Sequence, residues 1–336
     1  MILILFLFLF STPAIAEQLP EFNTARAFAD LEKQCAFGPR NPGSRGHEEC
    51  RLYLAQTLYR LGLEVWQQGF DGLDPVAGGT HRLTNIVARM ARFTTGRRDS
   101  LVAFSQSRGK TAPATDKSSN DSLVAFSQSR GKTAPSTKPL LLCAHWDTRP
   151  RADRDPDSAK REQPILGAND GASGVAVLME VARLLAQNPP PRTVIIAFFD
   201  GEDMGRSTYP EEFCLGARYW AAHPIPEPVK EAILLDMVGD ADLEIPVEPY
   251  SEMNAPALRQ RLWDIAGRLE LSAFTERMGP GVEDDHLPLQ QVGIKAVDLI
   301  DFDYRWWHTT ADTPDKCSAE SLGQVGRLLI EYIYSE

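Results

Sequence analysis

Four apolar runs of strand length, at residues 139–146, 193–199, 232–238 and 296–300, each end in or lead directly into acidic or histidine residues, with helical stretches between them. This pattern constrains the fold more than any other feature of the chain. The runs carry the β-branched and aromatic content of strands. Helical spacing recurs at 173–187, 255–270 and 318–334, the first with Val177, Leu178, Val181 and Leu185 on one stripe. Strands alternating with helices predict a sheet with helices packed on its faces. In such sheets functional groups gather at the carboxyl ends of the strands, where loops converge.

Ahead of these runs, residues 24–37 and 46–61 show helical spacing around the breaker Gly38-Pro39-Arg40-Asn41-Pro42-Gly43, and 63–66 and 84–88 have the composition of short strands. Residues 99–113 then recur letter for letter at 121–135. Two copies are too few for a stacked solenoid. The Ser, Thr, Lys and Pro content around them predicts a weakly ordered surface insertion spanning about 93–137.

The formal net charge of −11, with no basic run, argues against a nucleic-acid partner. An apolar stretch from Ile2 to Phe10 followed by Ala14-Ile15-Ala16 predicts a signal peptide over 1–16, so that 17–336 is the exported catalytic domain, periplasmic or secreted, with no membrane span. The five cysteines are odd in number and make no CxxC pair, so neither a thiolate zinc site nor a dense disulfide framework is indicated. A Cys35–Cys50 bridge would need an oxidising compartment, and buried free thiols are the simpler expectation.

Chemistry concentrates in six clusters: His145-Trp146-Asp147, Gly167-Ala168-Asn169-Asp170, Asp200-Gly201-Glu202-Asp203, Leu235-Asp236, Asp284-Asp285-His286 and Trp307-His308. One acid at a strand end is usually a cap or a solvated loop residue. Six clusters at successive strand ends would crowd like charges in one cleft, which a compensating cation makes tolerable. Oxygen and imidazole donors without thiolates suit a catalytic zinc with one open position. His81 and His223 are expected at the surface, Tyr219, Trp220 and Trp263 in the core, and Arg149, Arg151 and Arg154 in a solvated loop.

The order His145-x-Asp147, Asn169-Asp170, Glu202-Asp203, Asp236 and His308-Thr309 resembles the zinc aminopeptidase-like superfamily. Within it, Asp284-Asp285-His286-x-Pro288 and Trp307-His308 are most similar to the glutaminyl-peptide cyclotransferases, particularly bacterial ones. The resemblance covers nearly all of the chain outside the insertion. It implies a single α/β domain with a central mixed, mostly parallel sheet flanked by helices. It further implies one zinc on Asp170, Asp203 and His308, Glu202 as general acid/base, Asp236 and Asp284 in the hydrogen-bond network around the transferred proton, and Trp307 walling the pocket for a substrate peptide or protein N-terminus. The implied reaction is cyclisation of N-terminal glutamine to pyroglutamate by a monomer. Two positions depart from the animal enzymes: Asp203 stands in place of Glu, and Asp298 in place of His. The alternative is a two-zinc aminopeptidase, with His145 and Asp236 as further ligands and Asp170 bridging. A lesser one is an inactive peptide-binding relative.

Overall fold

The computed structural model describes residues 19–90, 123–126 and 139–335. The expected leader therefore lies outside the described residues, as does most of the duplicated segment. Two helices open the fold, α1 (Thr24–Cys35) and α2 (Arg45–Arg60). Each starts where a short polar side chain caps it: Asn23 accepts from the Arg26 amide and Ser44 from the His47 amide.

A long hairpin follows, of β1 (Glu64–Leu73) and β2 (Thr80–Met90), paired antiparallel throughout. Both strands run beyond the predicted 63–66 and 84–88. Cross-strand pairing carries both strands past those bounds, through Gly69 and Gly72 on β1. The turn holds through Asp74, whose carboxylate accepts the amides of Val76 and Ala77.

One part of the duplicated stretch departs from expectation: β3 (Leu123–Phe126), within the second copy, pairs with β1 and forms the sheet's edge. A Leu-Val-Ala-Phe segment has strand-forming content, and a polar flank does not prevent four residues from extending an open edge.

The remaining elements are β4 (Leu140–His145), α3 (Ala172–Gln187), β5 (Val194–Phe199), α4 (Leu215–Ala222), β6 (Glu231–Asp236), β7 (Ile245–Val247), α5 (Pro249–Asn254), α6 (Pro256–Arg268), β8 (Phe274–Met278), α7 (His286–Gln291), β9 (Lys295–Ile300) and α8 (Ala319–Tyr334). The seven-stranded sheet has the order β3-β1-β2-β5-β4-β6-β9, antiparallel through β5 and parallel from β5 to β9; β7 and β8 form a separate pair. Every residue of β4 and β5 is buried. That is why these runs read as continuously apolar: a strand covered on both faces has no solvent side to alternate with.

Along β4, Leu140, Leu142 and Ala144 point into a core shared with α1, α3, α6 and α8, while Leu141 and Cys143 point into one shared with Ala217 and Trp220 of α4 and Leu289 of α7. Truncating a buried Leu here costs about 2–5 kcal/mol. Trp220 and Trp263 are core residues as expected, His223 is exposed, and all five cysteines are buried and free. Among the described residues no helix is long and apolar enough to cross a membrane.

Candidate active site

The carboxyl ends of β4, β5, β6 and β9 open on one side of the sheet, and the loops leaving them surround a cleft of about 380 Å³. Asp170, Glu202, Asp203, Asp236, Asp284, Trp307 and His308 all line it.

Asp170 sits where the glycine-rich loop meets α3. Gly167 has φ +64°, and a Cβ there would stand 2.2 Å from the Asp170 carbonyl oxygen, so only glycine allows the turn. The loop is held from two sides: Asp312 accepts the Asn169 and Asp170 amides at 2.8 and 3.2 Å, and buried Arg40 donates to the carbonyls of Leu166 and Gly167. Glu202 and Asp203 follow β5 through Gly201, at φ +71°. Asp147 accepts both of their amides, so it shapes this turn instead of facing the cleft. Beneath it, His47 bonds Asp200 at 2.9 Å and stacks on Trp146.

His308 arrives on the loop after β9 with φ +57°, a left-handed conformation that costs a non-glycine residue energy and is found where function holds it. Its Nε2 lies 3.3 Å from Asp203 Oδ1 and 3.7 Å from Asp170 Oδ2. Donors about 2.0–2.1 Å from one zinc stand about 3.3 Å apart along a tetrahedron's edge, so this spacing fits. Asp203 Oδ2 is buried with no hydrogen-bond partner, as expected of an oxygen reserved for a cation. A second group, His145, Asp170 and Asp236, also lies within metal-binding reach, sharing Asp170 with the first. In it, His145 Nε2 is 3.1 Å from Asp236 and 3.2 Å from Asp170.

The electrostatics follow from crowding. Burial, then repulsion by Asp203, raises the Glu202 carboxyl well above its ordinary range. Burial, then Asp236 and Asp285, does the same to Asp284. Burial also opposes charge on Asp203, but His308 and Arg149 outweigh it and hold that carboxyl at about 2. A cation among these acids would relieve the first two and suit the third. Glu202, Cys214 and Asp284 present donor atoms within 4.8 Å of one another, which places Glu202 between the proposed ligands and the deeper acids.

Trp307 stacks on His308 at 3.8 Å between ring centroids and meets Phe302 at 4.9 Å. Arg154 caps it, its guanidinium 5.2 Å from the ring. The expectation of a solvated loop for the three arginines holds least well for Arg149, which is fully buried between Asp203 and Asp153. Arg151 is half-buried and donates to the carbonyls of Met204 and Gly205. A charged side chain can be buried when carboxylates converge on it, and one of the two here, Asp203, is 54 residues away. Asp153, Asp312 and His47 were not singled out in the sequence either. Only Asp312, four residues after His308 in a Thr-Thr-Ala-Asp turn, had a local signal.

The fold and this cleft define an α/β protein of the zinc-exopeptidase kind, with buried carboxylates and imidazoles grouped at the carboxyl edge of a mostly parallel sheet. The family model for peptidase family M28 matches residues 126–333, and the chain belongs to that family. The chain is similar to a solved glutaminyl cyclase of Bacteroides thetaiotaomicron bound to N-acetylhistamine, at 32% identity and a TM-score of 0.78, covering 95% of this chain and 100% of that one. It is 27% identical to a Bos taurus glutaminyl-peptide cyclotransferase-like protein, over 94% of this chain and 79% of that protein. An aminopeptidase of Bacillus subtilis is also 27% identical, over 50% of this chain, which spans only 37% of that longer relative. The zinc-dependent exopeptidase fold implies zinc.

Proposed function

We propose that this protein cyclises the N-terminal glutamine of peptides and proteins to pyroglutamate, with release of ammonia, using one zinc held by Asp170, Asp203 and His308. The observation that carries the proposal is Glu202 lying between that triad and Asp284 in one aromatic-walled cleft. The similarity to glutaminyl cyclases over nearly the whole chain supports it.

Trp307, Phe302 and Phe213 give the glutamine side chain an apolar wall and exclude water from the cleft. When bound, zinc supplies Lewis-acid polarisation of the γ-carboxamide oxygen, worth several kcal/mol. Attack is intramolecular, so the residues need only hold the α-amine over the carboxamide carbon. Glu202 takes a proton from the α-amine as the new C–N bond forms, then returns it to the departing nitrogen as the old C–N bond breaks and ammonia leaves. Asp236 and Asp284 accept hydrogen bonds from the amine and orient it. Both line the cleft together with Glu202.

The second reading, a two-zinc aminopeptidase, is favoured by the His145, Asp170 and Asp236 group. Against it, His145 Nε2 already makes a hydrogen bond with Asp236, at 3.1 Å. Purified protein incubated with Gln-peptides and with aminoacyl reporters, before and after chelation, separates the two. Ammonia release from Gln-peptides, lost on chelation and restored by one zinc per chain, is the expected result; free amino acids with two tightly held zinc ions would reject cyclisation. Export is part of the proposal, resting on residues 1–16, and N-terminal sequencing of the protein made in a bacterial host should find cleavage after Ala16.

A further inference from the structure

We infer that Arg149 is a positioning residue that ties two of the proposed zinc ligands, Asp203 and His308, into one rigid unit through Asp153.

The inference rests on the zinc site proposed above and on a closed set of contacts. The Arg149 guanidinium has no exposure to solvent. Nη1 donates to Asp203 Oδ1 at 2.7 Å and to the Asp203 carbonyl at 3.2 Å, so it grips both the carboxylate and the backbone of that residue. Nε and Nη2 make the bidentate pair with Asp153, at 2.8 and 2.7 Å. Asp153 Oδ1 in turn lies 3.4 Å from His308 Nδ1, on the ring edge opposite the nitrogen that faces Asp203 and Asp170. The sequence Asp203, Arg149, Asp153, His308 therefore leaves one ligand and returns to another.

Three physical consequences follow. A planar fork fixes two carboxylates in one geometry as a lysine could not. An acid beside Nδ1 favours the tautomer that keeps the proton there and leaves Nε2 free for a metal; Asp153 stands at 3.4 Å, close enough to do this although Nδ1 makes no hydrogen bond in the structure. A guanidinium bound to Asp203 Oδ1, the oxygen 3.3 Å from His308 Nε2, also holds that carboxylate at the spacing a shared cation needs. His308 holds a left-handed backbone in an irregular loop, so the imidazole needs an outside support, and Asp153 is placed to give it.

The test is zinc affinity by chelator competition on full-length Arg149→Met, Arg149→Lys and Asp153→Asn, with the melting temperature of each metal-free protein as a control for folding. Arg149→Met and Asp153→Asn should each weaken zinc binding about 10–100-fold, the loss typical of an outer support to a ligand. Arg149→Lys should recover only part of the loss. The double variant should lose less than the sum of the two, because both break the same link. Should Arg149→Met not fold, Asp153→Asn decides alone, since Asp153 is partly exposed. Zinc affinity within twofold of the parent in the soluble variants would overturn the inference. Variants that lose zinc as expected while the parent fails to cyclise glutamine would sink the proposed function and leave this inference standing.

Discussion

Two acid clusters adjoin in this protein and solve the same problem in opposite ways. Around Asp203 the charge is met by cations: Arg149 touches the carboxylate directly, His308 lies beside it, and a metal-sized gap separates it from Asp170. Around Asp284, Asp285 and Asp298, among the described residues, no guanidinium makes an ion pair; His286 lies 3.5 Å from Asp298 and 3.4 Å from Glu248, and the pull of His145 and Arg218 on Asp285 is outweighed by burial with Asp147 and Asp236. The carboxylate oxygens of Asp285 and Asp298 are buried without partners. Burial pushes Asp285 to about 8 and raises Asp298 well above the ordinary range. Its cations favour charge on Asp203 in the first cluster, whereas burial drives the second toward its protonated form. Glu202 stands at the boundary, where a carboxyl can both take and give a proton.

If that boundary position matters, Glu202→Gln should give the largest effect, a loss of kcat of about 10²–10⁴-fold with zinc still bound, as measured by turnover and metal content together. Full activity in this variant would remove the general acid/base from the scheme.

A smaller effect separates the clusters by pH. The folded pKa of Asp285 lies above the unfolded value of about 3.9, so between roughly pH 4 and 8 the folded state binds the extra proton. The contribution to stability is full below about 4 and lost as pH rises through 8. Denaturant melts of metal-free protein across that window should show stability falling with pH, and Asp285→Asn should flatten the slope. A slope unchanged by this substitution would mean that Asp285 is ionised in the folded protein.

The smallest change is expected for Asp298→Asn. Replacing a protonated acid with a neutral isostere should shift stability at pH 7 by less than about 1 kcal/mol. A large loss would place a charged carboxylate there and end the contrast between the clusters.

What the sequence disclosed, and what it hid, divides along a similar line. The strands β4, β5, β6 and β9 were legible because burial on both faces leaves continuous apolar runs, and their acids were legible because each run stops at one. The proposed ligands Asp170, Asp203 and His308 could be named before any coordinates, and the structure brings them together. Arg149 could not, because Arg-Pro-Arg-Ala-Asp-Arg has the composition of a solvated loop and its partner Asp203 lies 54 residues away. The His47–Asp200 pair was hidden for the same reason, its members standing 153 positions apart. Asp147 does lie beside His145, its Oδ1 3.6 Å from Nδ1, but it also caps the turn before Asp203, a role set by two backbone amides that leave no trace in side-chain spacing.

The edge strand Leu123–Phe126 has a twin in the chain, the same four letters at 101–104, because the repeat has a period of 22 residues (121 minus 99). Replication slippage that excised one unit would return an identical tetrapeptide to the gene product, so the hydrogen-bonding capacity of that border survives the deletion.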